Sequence, residues 1–203
     1  MKTLKIQTTT AILVSLFFLV GCAAEKKYYH VISHKPRVST MGFSIEPPPG
    51  KGWYERLKNN SLIYLKKTDA NKYSLQTKVT EINLARSMQM KNDFVKHVQK
   101  NMVKTLLDTR HKNAKLNFFT EDKPSTLCVK YTYQYEDHGY KNLRRNEFVI
   151  VKNNGRVCMH PDVPRNGIEI SYLEKTLSSS KHRSYIDEGE KFLDSLSFRP
   201  VTN

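Results

Sequence analysis

The sequence predicts an α+β fold, an antiparallel β-sheet with two helices packed against it. Three observations carry that prediction. Short apolar runs alternate with polar residues along much of the chain, and turn-forming residues separate them, the pattern of hairpin-linked strands. Two other stretches repeat their apolar residues at helical spacing. The strand-like runs come in blocks between those helices, which favours a segregated architecture over a regular alternation.

Residues 42–46 read as a short strand, stopped by Pro47-Pro48-Pro49-Gly50, because proline cannot donate to a ladder. Trp53 and Tyr54 follow. Residues 61–67 and 73–84 are two further apolar-rich runs, and Thr68-Asp69-Ala70-Asn71 between them predicts a hairpin. Residues 91–108 predict the long helix. Phe94, Val95, Val98, Met102, Val103, Leu106 and Leu107 fall on one side, with Lys91, Lys96, Lys100 and Lys104 toward the other, and Asn92 or Asp93 is placed to cap the start. Leu127, Val129, Tyr131, Tyr133 and Tyr135 alternate along one long strand. Residues 148–152 and 156–160 flank Asn153-Asn154-Gly155, and Asn-Gly between strand-like runs predicts a hairpin. Ile168, Ile170 and Tyr172 mark another strand. Ser178-Ser179-Ser180 reads as a loop, and a closing helix is expected over residues 185–195, with Ser184 as N-cap and Asp187 in the box position.

The chain has 203 residues, of which 38% are apolar, enough for one domain with a core. Its first segment is different. Lys2 and Lys5 precede an apolar run over residues 11–20, broken only by Ser15, and Leu19-Val20-Gly21-Cys22 closes it. A positive start, a short apolar run and small residues at the end are the parts of a secretory signal. The run is too short to span a bilayer, which takes about 20 apolar residues. Leu19-Val20-Gly21-Cys22 resembles the bacterial lipobox at all four positions. That resemblance implies cleavage before Cys22, lipid on its thiol and acylation of the new amino group. The chain then divides into a signal peptide (residues 1–21), a lipidated flexible tether (22–41) and one α+β domain (42–200). Ala23, not Asp, follows the cysteine, which by resemblance to enterobacterial sorting implies the outer membrane, facing the periplasm.

Formal net charge is +15, and loss of Lys2 and Lys5 with the leader leaves +13. Export removes nucleic acid from the expected partners. Anionic lipid, lipopolysaccharide phosphates or an acidic envelope protein become the natural counterparts, since net charge reports association tendency.

With Cys22 lipidated, Cys128 and Cys158 remain as an even pair in an oxidising compartment, and a disulfide is expected. A simple meander with the Asn-Gly hairpin would set them two strands apart, about 10 Å across the ladder. That exceeds the roughly 7 Å reach of a disulfide, so the pairing needs another strand order or a position at a frayed edge. The competing assignment is metal. Cys158, His160 and Asp162 alternate, and thiolate with imidazole suits copper or zinc, but four ligands are not evident and His160 beside Pro161 suits a turn. No metal or cofactor is therefore assigned.

The segments around Cys128–Gly139 and Gly155–Asp162, together with Phe192-Leu193-Asp194-Ser195-Leu196, resemble an uncharacterised group of proteobacterial lipoproteins. The resemblance implies that the two cysteines pair structurally, and it implies no activity. Over residues 42–200 the element order resembles the PsbP-like fold, in which two helices cover an antiparallel sheet and many members bind partners without catalysis.

The remaining polar residues point to no reaction. His138 with Glu136 and Asp137 precedes Gly139 and suits a turn, and His30, His34, His97, His111 and His182 read as surface residues. G-x-S-x-G, H-E-x-x-H and phosphate-loop patterns are absent, and Ser178-Ser179-Ser180-Lys181 fits S-x-x-K in letters only. The sequence therefore predicts a non-catalytic envelope lipoprotein that binds a partner or an anionic surface. The alternative is an enzyme or carrier with a small pocket against the face of Tyr131, Tyr133 and Tyr135.

Overall fold

The computed structural model describes residues 28–67, 73–85, 90–106, 108–123, 126–140, 143–180 and 183–200. The expected signal peptide, Cys22 and the expected turn at residues 68–71 lie outside the described residues, as do Lys181 and His182.

Eight strands form one antiparallel sheet: β1 (Tyr29–His30), β4 (Trp53–Lys58), β5 (Ser61–Lys67), β6 (Tyr73–Asn83), β10 (Asn166–Leu177), β9 (Val149–Met159), β8 (Thr126–Asp137) and β7 (His111–Lys123), in that spatial order. A small three-stranded sheet joins β2 (Arg37–Val38), β3 (Phe43–Ile45) and β11 (Ser197–Phe198), with β3 in the middle. Helix α1 (Lys91–Leu106) packs on β7 and β8, and helix α2 (Ile186–Asp194) packs on β10 and β6. The fold is α+β, with an antiparallel sheet and two helices against it.

Strand register puts the two helices on opposite faces. Successive strand residues point to opposite sides. Val129, Tyr131 and Tyr133 of β8 share the α1 core with Phe94 and Val98. Cys128, Cys158, Ile168, Ile170 and Tyr172 share the other core with Phe192 and Leu193 of α2. The helix spacing expected for α1 holds at Phe94 and Val98, which are buried, and at Val95 and Met102, which are half-buried, while Lys91, Lys96, Lys100 and Lys104 are exposed. Val103, expected on the apolar side, is exposed, and the Leu106 and Leu107 side chains lie outside the described residues.

The Asn153-Asn154-Gly155 hairpin is overturned, because all three residues lie inside the continuous strand β9. A type I′ hairpin needs positive φ at its central residues, and none of these three adopts it. Their side chains do other work. Asn153 donates to the Tyr133 hydroxyl on the α1 face (2.7 Å), and Asn154 donates to Glu190 of α2 on the opposite face (3.1 Å). Gly155 leaves room for the Tyr131 ring, because a Cβ there would lie 2.5 Å from its Cζ and hydroxyl. Gly155→Ala is therefore expected to lower stability by about 1–3 kcal/mol through overpacking, measured by denaturant unfolding. A change below the error of the fit would show that Tyr131 can simply move aside.

With β9 unbroken, β8 and β9 pair directly and Cys128 stands opposite Cys158. The sulfurs are bonded, and the Cα atoms are 4.1 Å apart. The two-strand separation that argued against pairing came from the false hairpin.

Other expectations need correction. Ordered pairing begins upstream of residue 42, as β1 pairs with β4 and β2 with β3, within the segment 22–41 that was expected to be a tether. Strands β4 and β7 had no counterpart in the sequence reading. Residues 59–60 turn β4 into β5, with Asn59 at φ 51°, a conformation asparagine tolerates. The α2 N-cap is Tyr185, not Ser184, whose hydroxyl donates to Glu174 (2.7 Å) while accepting the Ile186 N–H (3.3 Å). Helix α1 starts at Lys91, so Asn92 and Asp93 sit within its first turn.

Candidate functional site

The interface between α1 and the sheet is not filled. Helix α1 contacts β7 and β8, while the floor beside them is made by β9, β10 and β6. Between them lies a cavity of about 470 Å³, within the ordinary range for small-molecule sites. Phe94, His97, Val98, Asn101 and Met102 of α1 line it from above. Asn153, Glu169, Ser171, Leu173, Gln76 and Lys78 line it from the sheet. Tyr131, Tyr133, Val157, Ile82 and Leu84 complete the wall.

The register explains why these residues meet. Across the ladder, Tyr131 aligns with Gly155, Gly155 with Ser171, and Ser171 with Lys78. The next row runs Tyr133, Asn153, Leu173, Gln76. Because Gly155 has no side chain, Tyr131 reaches across β9 to β10, where its hydroxyl donates to Glu169 (2.8 Å). Tyr131, Tyr133 and Tyr135 stack along β8 at 6.1 and 6.0 Å between ring centroids. The site's polar chemistry thus comes from β6, β9 and β10, with His97 and Asn101 of α1 beside the apolar Phe94, Val98 and Met102.

Two floor groups lack partners among the described residues. The Asn153 side-chain oxygen is buried and accepts no hydrogen bond, a state that costs about 1–3 kcal/mol when left unmet. Lys78 is half-buried, and no ion pair or hydrogen bond from its ammonium occurs among the described residues. Glu169, in contrast, already holds the Tyr131 hydroxyl.

The tyrosines are held neutral. Burial pushes the Tyr131 hydroxyl well above its ordinary range, and the charge of Glu169 beside it adds to this. Burial also raises Tyr133, and lifts Tyr135 to about 12. On the other face burial raises Tyr64, Tyr73 and Tyr172. A folded value raised above the unfolded one, about 10, contributes stability that is complete below that pH and is lost as pH climbs through the folded value. Stability should therefore fall from about pH 10 toward about 12, with tyrosinate absorbance appearing together with unfolding. Full ionisation of all eleven tyrosines while the circular dichroism stays native would contradict that assignment.

Sequence candidates fall in several places. Cys128 and Cys158 meet on the α2 face, away from the cavity. His160 is a buried turn residue. Its Nδ1 accepts the N–H groups of Asp162 (3.1 Å) and Val163 (3.2 Å), and its Nε2 donates to the Arg199 carbonyl (3.1 Å). Cys158 is in the disulfide, so the Cys158–His160–Asp162 set does not assemble. His138 bonds Glu136 (3.1 Å) and stacks on Phe148, as a turn residue would. His97 corrects its surface assignment, since it is half-buried, lines the cavity and contacts Asn101 (2.9 Å). Lys78 and Glu169 were not singled out in the sequence, and Asn153 was read there only as a turn residue. Asn153 alone interrupts an apolar strand face, that of Val149, Val151 and Val157, whereas Lys78 shares its face with Ser74, Gln76 and Thr80, and Glu169 with Ser171 and Lys175, so neither stands out from its strand.

No family model matches this sequence, and none of the curated proteins does. Among solved structures, the chain is similar to the lipid transfer and protein localization domain of human StarD13 (DLC2), at 12% identity and a TM-score of 0.28, over 71% of this chain and 83% of that one. At that level the likeness bears on neither ligand nor chemistry. Among the described residues no helix is long and apolar enough to cross a membrane.

Proposed function

We propose that this chain is a lipid-anchored envelope protein whose domain is a non-catalytic binding module, taking a small amphipathic molecule into the cavity beneath α1. The observation that carries the reading is the open α1–sheet interface, with Phe94, Val98 and Met102 above, a largely polar floor and an unmet buried acceptor at Asn153. A mostly apolar cleft with a few convergent polar groups is the usual form of a ligand site. The anchor rests on the lipobox-like Leu19-Val20-Gly21-Cys22. The exposed lysines of α1 suit anionic lipid or lipopolysaccharide beside the cavity.

Saturable, single-site uptake of the neutral probe N-phenylnaphthylamine by the Cys22→Ser chain tests the cavity. Leu173→Trp, which places an indole between Asn153 and Gln76, is expected to abolish uptake while unfolding stays cooperative. Probe uptake unaffected by Leu173→Trp places the binding elsewhere and ends the reading. The anchor is tested by labelled palmitate, which should enter the parent chain and not Cys22→Ser.

A further inference from the structure

We propose that the ligand of the α1 cavity is an amphipathic monoanion, a carboxylic acid with an apolar body, whose carboxylate pairs with Lys78. This rests on the cavity being a binding site and adds the charge of what it takes.

The floor holds one cation and one anion, and they are not equivalent. Glu169 accepts a hydrogen bond from Tyr131 (2.8 Å), so part of its charge is already met by the protein. Lys78 has no such partner among the described residues, though it is half-buried and lines the same space. Register places it beside Ser171 and across from Ile63, so no carboxylate stands directly opposite on either neighbouring strand. A half-buried ammonium in a cavity walled by protein attracts an anion more strongly than it would in water, because the local dielectric is lower. The whole chain is strongly basic, which also favours an anion at the mouth.

The apolar body has a place as well. Phe94, Val98 and Met102 lie above, and Val157, Ile82 and Leu84 lie to the side. Asn153 is an independent sign that the cavity is built for a ligand. It is 6% exposed, its amide N–H serves Tyr133, and its oxygen meets no donor among the described residues. An ionised carboxylate only accepts, so this atom bears on the cavity being a site and not on the charge of its ligand.

Decanoate, decanol and decylammonium, titrated below micellar concentrations into the Cys22→Ser chain, separate the terms. Decanoate is expected to bind about 10- to 100-fold more tightly than decanol, the range of one charge-assisted hydrogen bond. Decylammonium should bind more weakly than decanol. Lys78→Met should bring decanoate down to the affinity of decanol for the same variant, and Lys78→Arg should restore the preference. Equal affinity across the three probes, or a decanoate affinity untouched by Lys78→Met, overturns the anion assignment while the cavity reading survives. Failure of all three probes to bind overturns both.

Discussion

Replacing Glu188 with alanine is expected to lower stability by about 3–5 kcal/mol, the cost of breaking a buried ion pair and leaving its cation behind. Lys66 points from β5 toward α2, and its ammonium bonds both Glu188 oxygens, at 2.7 and 2.6 Å. Its side chain is 10% exposed and that of Glu188 21%. The same carboxylate accepts the Trp53 indole N–H at 2.7 Å. The Lys66 ammonium also lies 4.3 Å from the centre of the Tyr185 ring. Removing the carboxylate therefore strips one acceptor from two buried donors. Removing both charges should cost far less, because the desolvation of Lys66 disappears with it. The pair Lys66→Met with Glu188→Leu should fall nearer the parent than Glu188→Ala does. Denaturant midpoints for the three chains decide this. A Glu188→Ala chain within 1 kcal/mol of the parent, below the range given for such pairs, would mean that water reaches Lys66 freely.

The second large effect belongs to the disulfide. Replacing Cys128 and Cys158 together with alanine is expected to lower stability by about 3–4 kcal/mol, the chain-entropy value for a loop of 30 residues. The cysteines face each other across β8 and β9, inside the α2 core, with Cys158 fully buried. The ladder already holds these strands in the folded state, so the bond acts chiefly by restricting the unfolded chain. Reductant should therefore leave the native circular dichroism intact and shift the unfolding midpoint of the parent chain alone. An equal shift in the double-alanine chain would assign the effect to something other than this bond.

The helices were legible because α1 and α2 each bury one stripe, and that stripe repeats at helical spacing. Strand β8 was legible because Val129, Tyr131 and Tyr133 alternate with half-exposed residues. Strand β7 was not. It is an edge strand, largely solvated, with Leu116 and Phe118 the half-buried apolar residues of its inner face, so alternation is weak. Strand β9 was misread for a physical reason. Asn-Gly favours a turn through positive φ, whereas here Gly155 serves a tyrosine crossing overhead and the two asparagines bond to opposite faces. The site suffered most. The tyrosine face was visible in one segment, but Lys78, Asn153 and Glu169 meet only through pairings that join β6, β10 and β9. Local pattern carries no information on such pairings.

The position of β10 has a consequence for how the molecule is made. It lies between β6 and β9, so β6 stays without its second neighbour until α1, β7, β8 and β9 have been synthesised. Strand β3 waits longer still, for β11. Non-local pairing of this kind slows folding to milliseconds or seconds, since loop closure precedes any reward from contact. A nascent chain with this topology stays pliable while most of it emerges, and commits to its final shape late.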